Sequence, residues 1–88
     1  MANHKSAAKR ARQEPKRRER NAAVKSRVKT SVKAFETALE SGDADAAKTR
    51  LRAAERELRR AASRGVLPQT RVSRKVSRLA RRLAQSSS

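Results

Sequence analysis

Residues 24–43 read VKSRVKTSVKAFETALESGD. Within them Val24, Val28, Val32, Phe35 and Leu39 recur at spacings of 4, 4, 3 and 4, which puts all five within one stripe of an α-helix. A strand would need apolar and polar residues to alternate, and they do not. Lys25, Lys29 and Lys33 run beside the stripe. The helix is expected to stop at Ser41-Gly42-Asp43, because Gly42 tolerates the left-handed backbone that ends a helix and Asp43 can cap the next one.

Toward the C-terminus the same period returns twice. Ala47, Leu51, Ala54, Leu58 and Ala61 are spaced 4, 3, 4 and 3, forming a seam of small and large residues that can pack closely on a neighbouring helix. Gly65 marks the end of that helix. Pro68 fits a first turn or a linker better than a helix interior. Val72, Val76, Leu79 and Leu83 then repeat at 4, 3 and 4. The expected fold is all-α: a three-helix bundle with a long, extended, basic N-terminal helix. The helices are placed at about 16–41, 44–63 and 68–84. A basic extension over 1–20, a bundle over 21–85 and a tail over 86–88 complete the organisation.

Toward the N-terminus the reading divides at Pro15. Ser6 to Arg12 is rich in Ala, Lys and Arg, all good helix formers, so Pro15 either starts a helix near Lys16 or kinks one that began near Ser6. Lys16, Arg17, Arg18, Glu19 and Arg20 offer no apolar seam, so this segment is expected to take its order from a partner.

Charge names the kind of partner. The 88-residue chain has a formal net charge of +17. Residues 1–33 hold 12 Lys/Arg against Glu14 and Glu19, residues 34–63 hold 6 basic and 6 acidic side chains, and residues 64–88 hold 7 basic and no acidic ones. A neutral block between two cationic arms suits a protein that folds near its centre and grips a polyanion at both ends. On the third helix, Arg71, Arg74, Lys75, Arg78, Arg81 and Arg82 lie on one continuous face, roughly opposite the apolar stripe. Ordinary solvated surfaces mix signs. Like charges one turn apart also destabilise an isolated helix, a penalty that phosphates would remove.

Phe35 is the single aromatic residue, and its place in the stripe gives it to the core. Proteins that bind single strands commonly stack bases on aromatic platforms. This chain is therefore expected to recognise the backbone and shape of folded helices, in structured RNA or duplex DNA. A basic amphipathic helix can also lie on anionic lipid, but the apolar face of the third helix lacks Trp and Phe and is claimed by the bundle. No apolar run approaches the roughly 20 residues that span a bilayer, and the basic N-terminus is not followed by the apolar region of a signal peptide. A cytoplasmic location is expected.

Catalysis finds no support. His4 is the lone histidine and cysteine is absent, so neither a nucleophile with its base nor a thiolate metal site can be assembled. Glu55 and Glu57 point in different directions on a helix and read as surface ion-pair partners of Arg52, Arg56, Arg59 and Arg60. Asp43 and Asp45 read as a cap and a first-turn charge. No metal, cofactor or small-molecule substrate is expected.

The opening MANHKSAAKRARQ, with Ala2-Asn3, Lys5-Ser6-Ala7 and Lys9-Arg10, resembles the start of the bacterial small-subunit ribosomal protein S-twenty family. The resemblance continues through Lys16-Arg17-Arg18, Asn21, the Gly42-Asp43 turn and the segment from Gly65 through Arg74 to Leu79. It departs from the family at Pro15 and Pro68. It implies a three-helix bundle with a long first helix, direct binding to 16S ribosomal RNA beside other small-subunit components, and a monomer within the ribosome that supports assembly. Lys5, Lys9, Arg10, Lys16, Arg17, Arg18 and Arg74 match the family's basic motif and are the RNA contacts that the resemblance implies. Helical geometry nominates Arg12, Arg20, Lys25, Arg27, Arg71, Lys75, Arg78, Arg81 and Arg82 beside them. A histone-like DNA-compacting protein would share the charge and alanine content, but no Lys-Ala-Pro tail or β-arm is present.

Overall fold

Gly42 and Gly65 adopt φ of 79° and 74°, the left-handed region that costs glycine little and other residues more. They are the two points at which the chain turns. In this computed structural model, which describes the backbone of residues 2–86 and the side chains of residues 13–86, they separate α1 (Ala2–Glu40), α2 (Ala44–Ser63) and α3 (Gln69–Ser86). Among the described residues there is no strand, and no helix is long and apolar enough to cross a membrane.

Each turn closes its own backbone bonds. The Gly42 N–H donates to the Leu39 carbonyl at 3.2 Å. The Asp43 carboxylate then accepts from the Ala46 N–H at 3.1 Å and its carbonyl from the Ala47 N–H at 2.9 Å, the arrangement of an N-cap. At the other end of α2 the Val66 N–H reaches the Ala61 carbonyl at 2.9 Å and the Gly65 N–H reaches that of Ala62 at 3.0 Å, a Schellman closure. Pro68 precedes α3 and its carbonyl accepts from the Val72 N–H at 3.1 Å. The missing N–H of Pro68 therefore costs that helix nothing.

The apolar seams meet as their spacing predicts. Phe35, Ala47, Ala54 and Ala61 are fully buried, and Val24, Val32, Leu58, Val72 and Leu79 nearly so. Val28, Leu39, Leu51, Val76 and Leu83 pack around the central cluster. Alanine at 47, 54 and 61 leaves room for the α1 backbone and the Phe35 ring to come close. Phe35 has the core role expected of it. Leu67, which belongs to none of the three stripes, folds back from the α2–α3 turn onto the core.

Two expectations are corrected. The first helix begins at Ala2 and not near Lys16, with Pro15 inside it. A mid-helix proline removes the bond that the Ala11 carbonyl would accept and costs about 3 kcal/mol. Strong helix formers on both sides keep the helix continuous, and Arg18 donates to the Glu14 carboxylate at 3.3 Å across the gap. Second, Ser86 is the last residue of α3 and not part of a tail, its hydroxyl donating to the Leu83 carbonyl at 2.9 Å. Ser87 and Ser88, expected as tail, lie outside the described residues.

At 39 residues α1 is about 58 Å long at 1.5 Å per residue, nearly twice the length of α2. The molecule accordingly measures 65 × 21 × 13 Å. The bundle occupies the C-terminal end of this rod, and the residues of α1 before Val24 reach past it.

Truncating Phe35→Ala should remove about 3–5 kcal/mol of stability, enough in so small a core to leave the chain unfolded or nearly so in a urea titration followed by circular dichroism. Pro15→Ala should restore one backbone bond and increase the helical signal at 222 nm without moving the bundle's melting midpoint. An unchanged signal would show that Pro15 does not limit α1.

Candidate nucleic-acid interface

α3 leans on α2 and touches α1 much less, so α1 and α3 diverge and leave an open groove between them. Two adjoining depressions of about 550 Å³ and 540 Å³ make up the groove, sharing Lys25, Val28, Leu67 and Lys75. Its floor is the edge of the core, with Val28, Val32, Leu58, Leu67 and Val72. Its rims are cationic. On the α1 side stand Lys25, Lys29 and Lys33, one turn apart and therefore about 6 Å apart along the axis. On the α3 side stand Arg71, Arg74, Lys75 and Arg78.

These rims follow from the helical period. A residue one position after a stripe residue lies about 100° around the helix. Lys25, Lys29 and Lys33, which follow Val24, Val28 and Val32, therefore flank the buried stripe on one side. On α3, Arg71, Lys75 and Arg78 each precede Val72, Val76 or Leu79 and flank that stripe on the opposite side. The divergence of the helices turns both flanks toward the same groove. Among the described residues no ion pair neutralises any of the seven cations, and the one acid lining the groove is Glu36.

Glu36 is occupied. Its carboxylate accepts from the Arg82 guanidinium at 3.3 Å, linking α1 to α3 at the closed end of the groove. Both side chains are partly exposed, so the pair contributes at most about 1 kcal/mol. Its effect is to fix how the two rims face each other. Arg82, nominated as an anion contact, is thus committed at least in part to the fold.

The remaining nominated residues are scattered more widely. Arg81 is exposed but lies outside the groove, and Arg27 sits about 200° around α1 from Lys25, on its other flank. Arg18 is exposed and paired with Glu14. Lys16 is exposed on the part of α1 that leaves the bundle. Arg17 and Arg20 line a separate depression beside the α2–α3 turn. The side chains of Lys5, Lys9, Arg10 and Arg12 lie outside the described residues. Sequence reasoning missed Lys29 and Lys33 as groove residues although their four-residue spacing from Lys25 was in view. It also missed Arg64, which no helical period connects to the other cations.

The face of α2 away from the core is built differently. There Arg59 pairs with Glu55 at 2.9 Å and Arg60 with Glu57 at 3.9 Å. Two of the four ion pairs among the described residues lie within α2, and the seven groove cations of α1 and α3 are in none of them. Among the described residues no cluster of His, Cys, Asp or Glu could hold a metal ion.

Comparison with known proteins finds relatives over most of the chain. A family profile described as Ribosomal protein S20 matches residues 2–84. The chain is 53% identical over 83 residues to a small ribosomal subunit protein bS20 of Rhizobium etli, covering 94% of this chain and 90% of that one. It is 47% identical over 83 residues to the protein of the same name from Gluconobacter oxydans, covering 94% and 93%. It is 51% identical over 81 residues to that of Campylobacter fetus, covering 92% of each.

Proposed function

The chain belongs to the ribosomal protein S20 family, and from that premise we propose that it is a structural, non-enzymatic component of the small ribosomal subunit that binds 16S ribosomal RNA directly and supports subunit assembly. Its place is with the ribosome in the cytoplasm. The observation that carries the reading is the groove with facing cationic rims. Seven cations around a concave track whose one acid, Glu36, is already paired with Arg82 are suited to phosphates and to little else.

RNA phosphates enter this arrangement for a physical reason. Seven cations around one groove repel one another in the free protein, and each phosphate placed between the rims relieves that repulsion while releasing a condensed counterion. The apolar floor excludes water from below, and the charge-assisted bonds made by arginine and lysine are stronger in that setting than on an open surface. No base is read in this scheme. The contacts fix position and register, and selection of the RNA comes from the shape into which its backbone has folded.

The groove supplies Lys25, Lys29, Lys33, Arg71, Arg74, Lys75 and Arg78. The part of α1 that leaves the bundle supplies Lys5, Lys9, Arg10, Arg12, Lys16, Arg17, Arg18 and Arg20, with Arg27, Arg81 and Arg82 as flanking charges. Residues 1–20 act as an extension that settles into RNA, and residues 21–85 act as the bundle that places it.

Replacing Arg74→Glu together with Arg78→Glu should weaken binding to purified small-subunit RNA while leaving the circular dichroism spectrum unchanged. With about eight phosphates contacted, log K should fall against log salt with a slope of about −6, and the double variant should make that slope shallower by about 1.5. Unchanged affinity and slope would show this face to be merely solvated. Equal affinity for duplex DNA of the same length would favour a DNA-compacting role instead.

A further inference from the structure

Where α1 passes the α2–α3 turn, next to the end of the groove that holds Lys25 and Leu67, lies a depression of about 610 Å³ lined by Arg17, Arg20, Asn21 and Arg64 over Val24 and Val66. We infer that this depression is a discrete site for two adjacent phosphates of a sharply turned RNA backbone, with Arg64 as its anchoring residue. The inference rests on the RNA-binding reading above and adds a second, separate point of contact to it.

The site is built from a continuation of the core stripe. Arg17, Asn21, Val24 and Val28 are spaced 4, 3 and 4, so Arg17 and Asn21 stand on the same face of α1 that buries Val24, at the height where the bundle ends. Arg20 lies beside them on that face. A helix that needed only to be solvated here would have no reason to turn its arginines toward the bundle. This one aims them at the end of α2, where Arg64 comes in from a second element.

Three guanidiniums with no acid among them need an explanation. Among the described residues no ion pair engages Arg17, Arg20 or Arg64. The negative end of the α2 dipole offsets part of their repulsion and helps to hold them together. It does not consume their donors, because the carbonyls of Arg60, Ala61 and Ala62 are already satisfied. Ala61 and Ala62 accept from the Val66 and Gly65 N–H groups at 2.9 Å and 3.0 Å, and Arg60 accepts from the Arg64 N–H at 3.0 Å. The guanidinium forks are left free for bidentate contacts to the oxygens of a phosphate.

The geometry selects the ligand. Rows of cations on α1 and α3 suit a backbone that runs on, whereas three forks converging from two directions concentrate charge at a point. That suits a point of high phosphate density, such as a tight backbone turn. Val24 and Val66 give the depression an apolar floor against which a sugar can rest. Arg64 is held in place by the rigid turn at Gly65, where φ is 74°.

The test compares Arg64→Gln, Arg64→Lys and, as a control on the outward face of α2, Arg56→Gln, using purified small-subunit RNA and phosphate-ethylation interference. All three should melt like the parent, since Arg64 and Arg56 are exposed. Arg64→Gln is expected to bind about ten-fold more weakly at 0.15 M salt. Its salt slope should be shallower by about 0.7–0.9. It should also lose the interference of two adjacent phosphates that the parent shows. Arg64→Lys should keep the slope and lose a few-fold in affinity, because its charge remains and its fork is gone. Parental affinity, slope and interference in Arg64→Gln would overturn the site while leaving the groove's role intact. Parental affinity in Arg64→Lys would overturn recognition by a fork. Failure of the parent protein to bind this RNA would overturn both readings together.

Discussion

Close approach of α1 and α2 is the constraint on which the rest depends. It is made possible by three alanines, Ala47, Ala54 and Ala61, each fully buried and seven residues from the next. A larger residue at any of them would hold the helices apart and open the seat of Phe35. The cations that rim the groove are positioned by that contact. α3 docks on α2, α2 docks on α1, and the groove is what remains because α3 cannot reach both.

The opposing force is charge. A formal net charge of +17 on 88 residues resists compaction, and the core that offsets it has only nine buried hydrophobic side chains among the described residues. The distribution of acids reconciles the two. Two of the four ion pairs among the described residues lie within α2, the central helix of the core, and a third ties α1 to α3. The flanks of α1 and α3 stay unneutralised where a polyanion can do the neutralising. The bundle's stability and its affinity for phosphate are therefore drawn from the same charges, with opposite sign in the free and bound states.

Much of the fold was legible because it is written in period. The stripes beginning at Val24, Ala47 and Val72 each became the buried face of a helix, and both glycine turns fell where the stripes ended. Pro15 left the start of the first helix open between Lys16 and Ser6, because local rules describe what proline removes. They do not weigh the helix formers on either side, which decide whether the helix survives. The site was less legible for a different reason. The cations of α3 share one helix, so their spacing reveals them. Arg64 meets Arg17 and Arg20 only through the α2–α3 turn, and a one-dimensional period carries no information about a meeting of that kind. The extension of the stripe through Asn21 and Arg17 was present in the sequence but disguised, because a seam was sought among apolar residues and here it continues in polar ones.

The length of α1 beyond the bundle has a consequence for the order of events. From Val24 back to Ala2 the helix reaches about 33 Å at 1.5 Å per residue. Once the bundle has seated, the N-terminal cations are confined to a small volume around it, at a local concentration of order millimolar. On the RNA-binding reading proposed above, their encounter with a second stretch of RNA would then be intramolecular, and the protein would act as a tether that shortens the search between two parts of a folding polymer. The proline in its middle leaves one backbone bond unmade and gives that tether a point of compliance, so that the two stretches need not be perfectly placed before both are held.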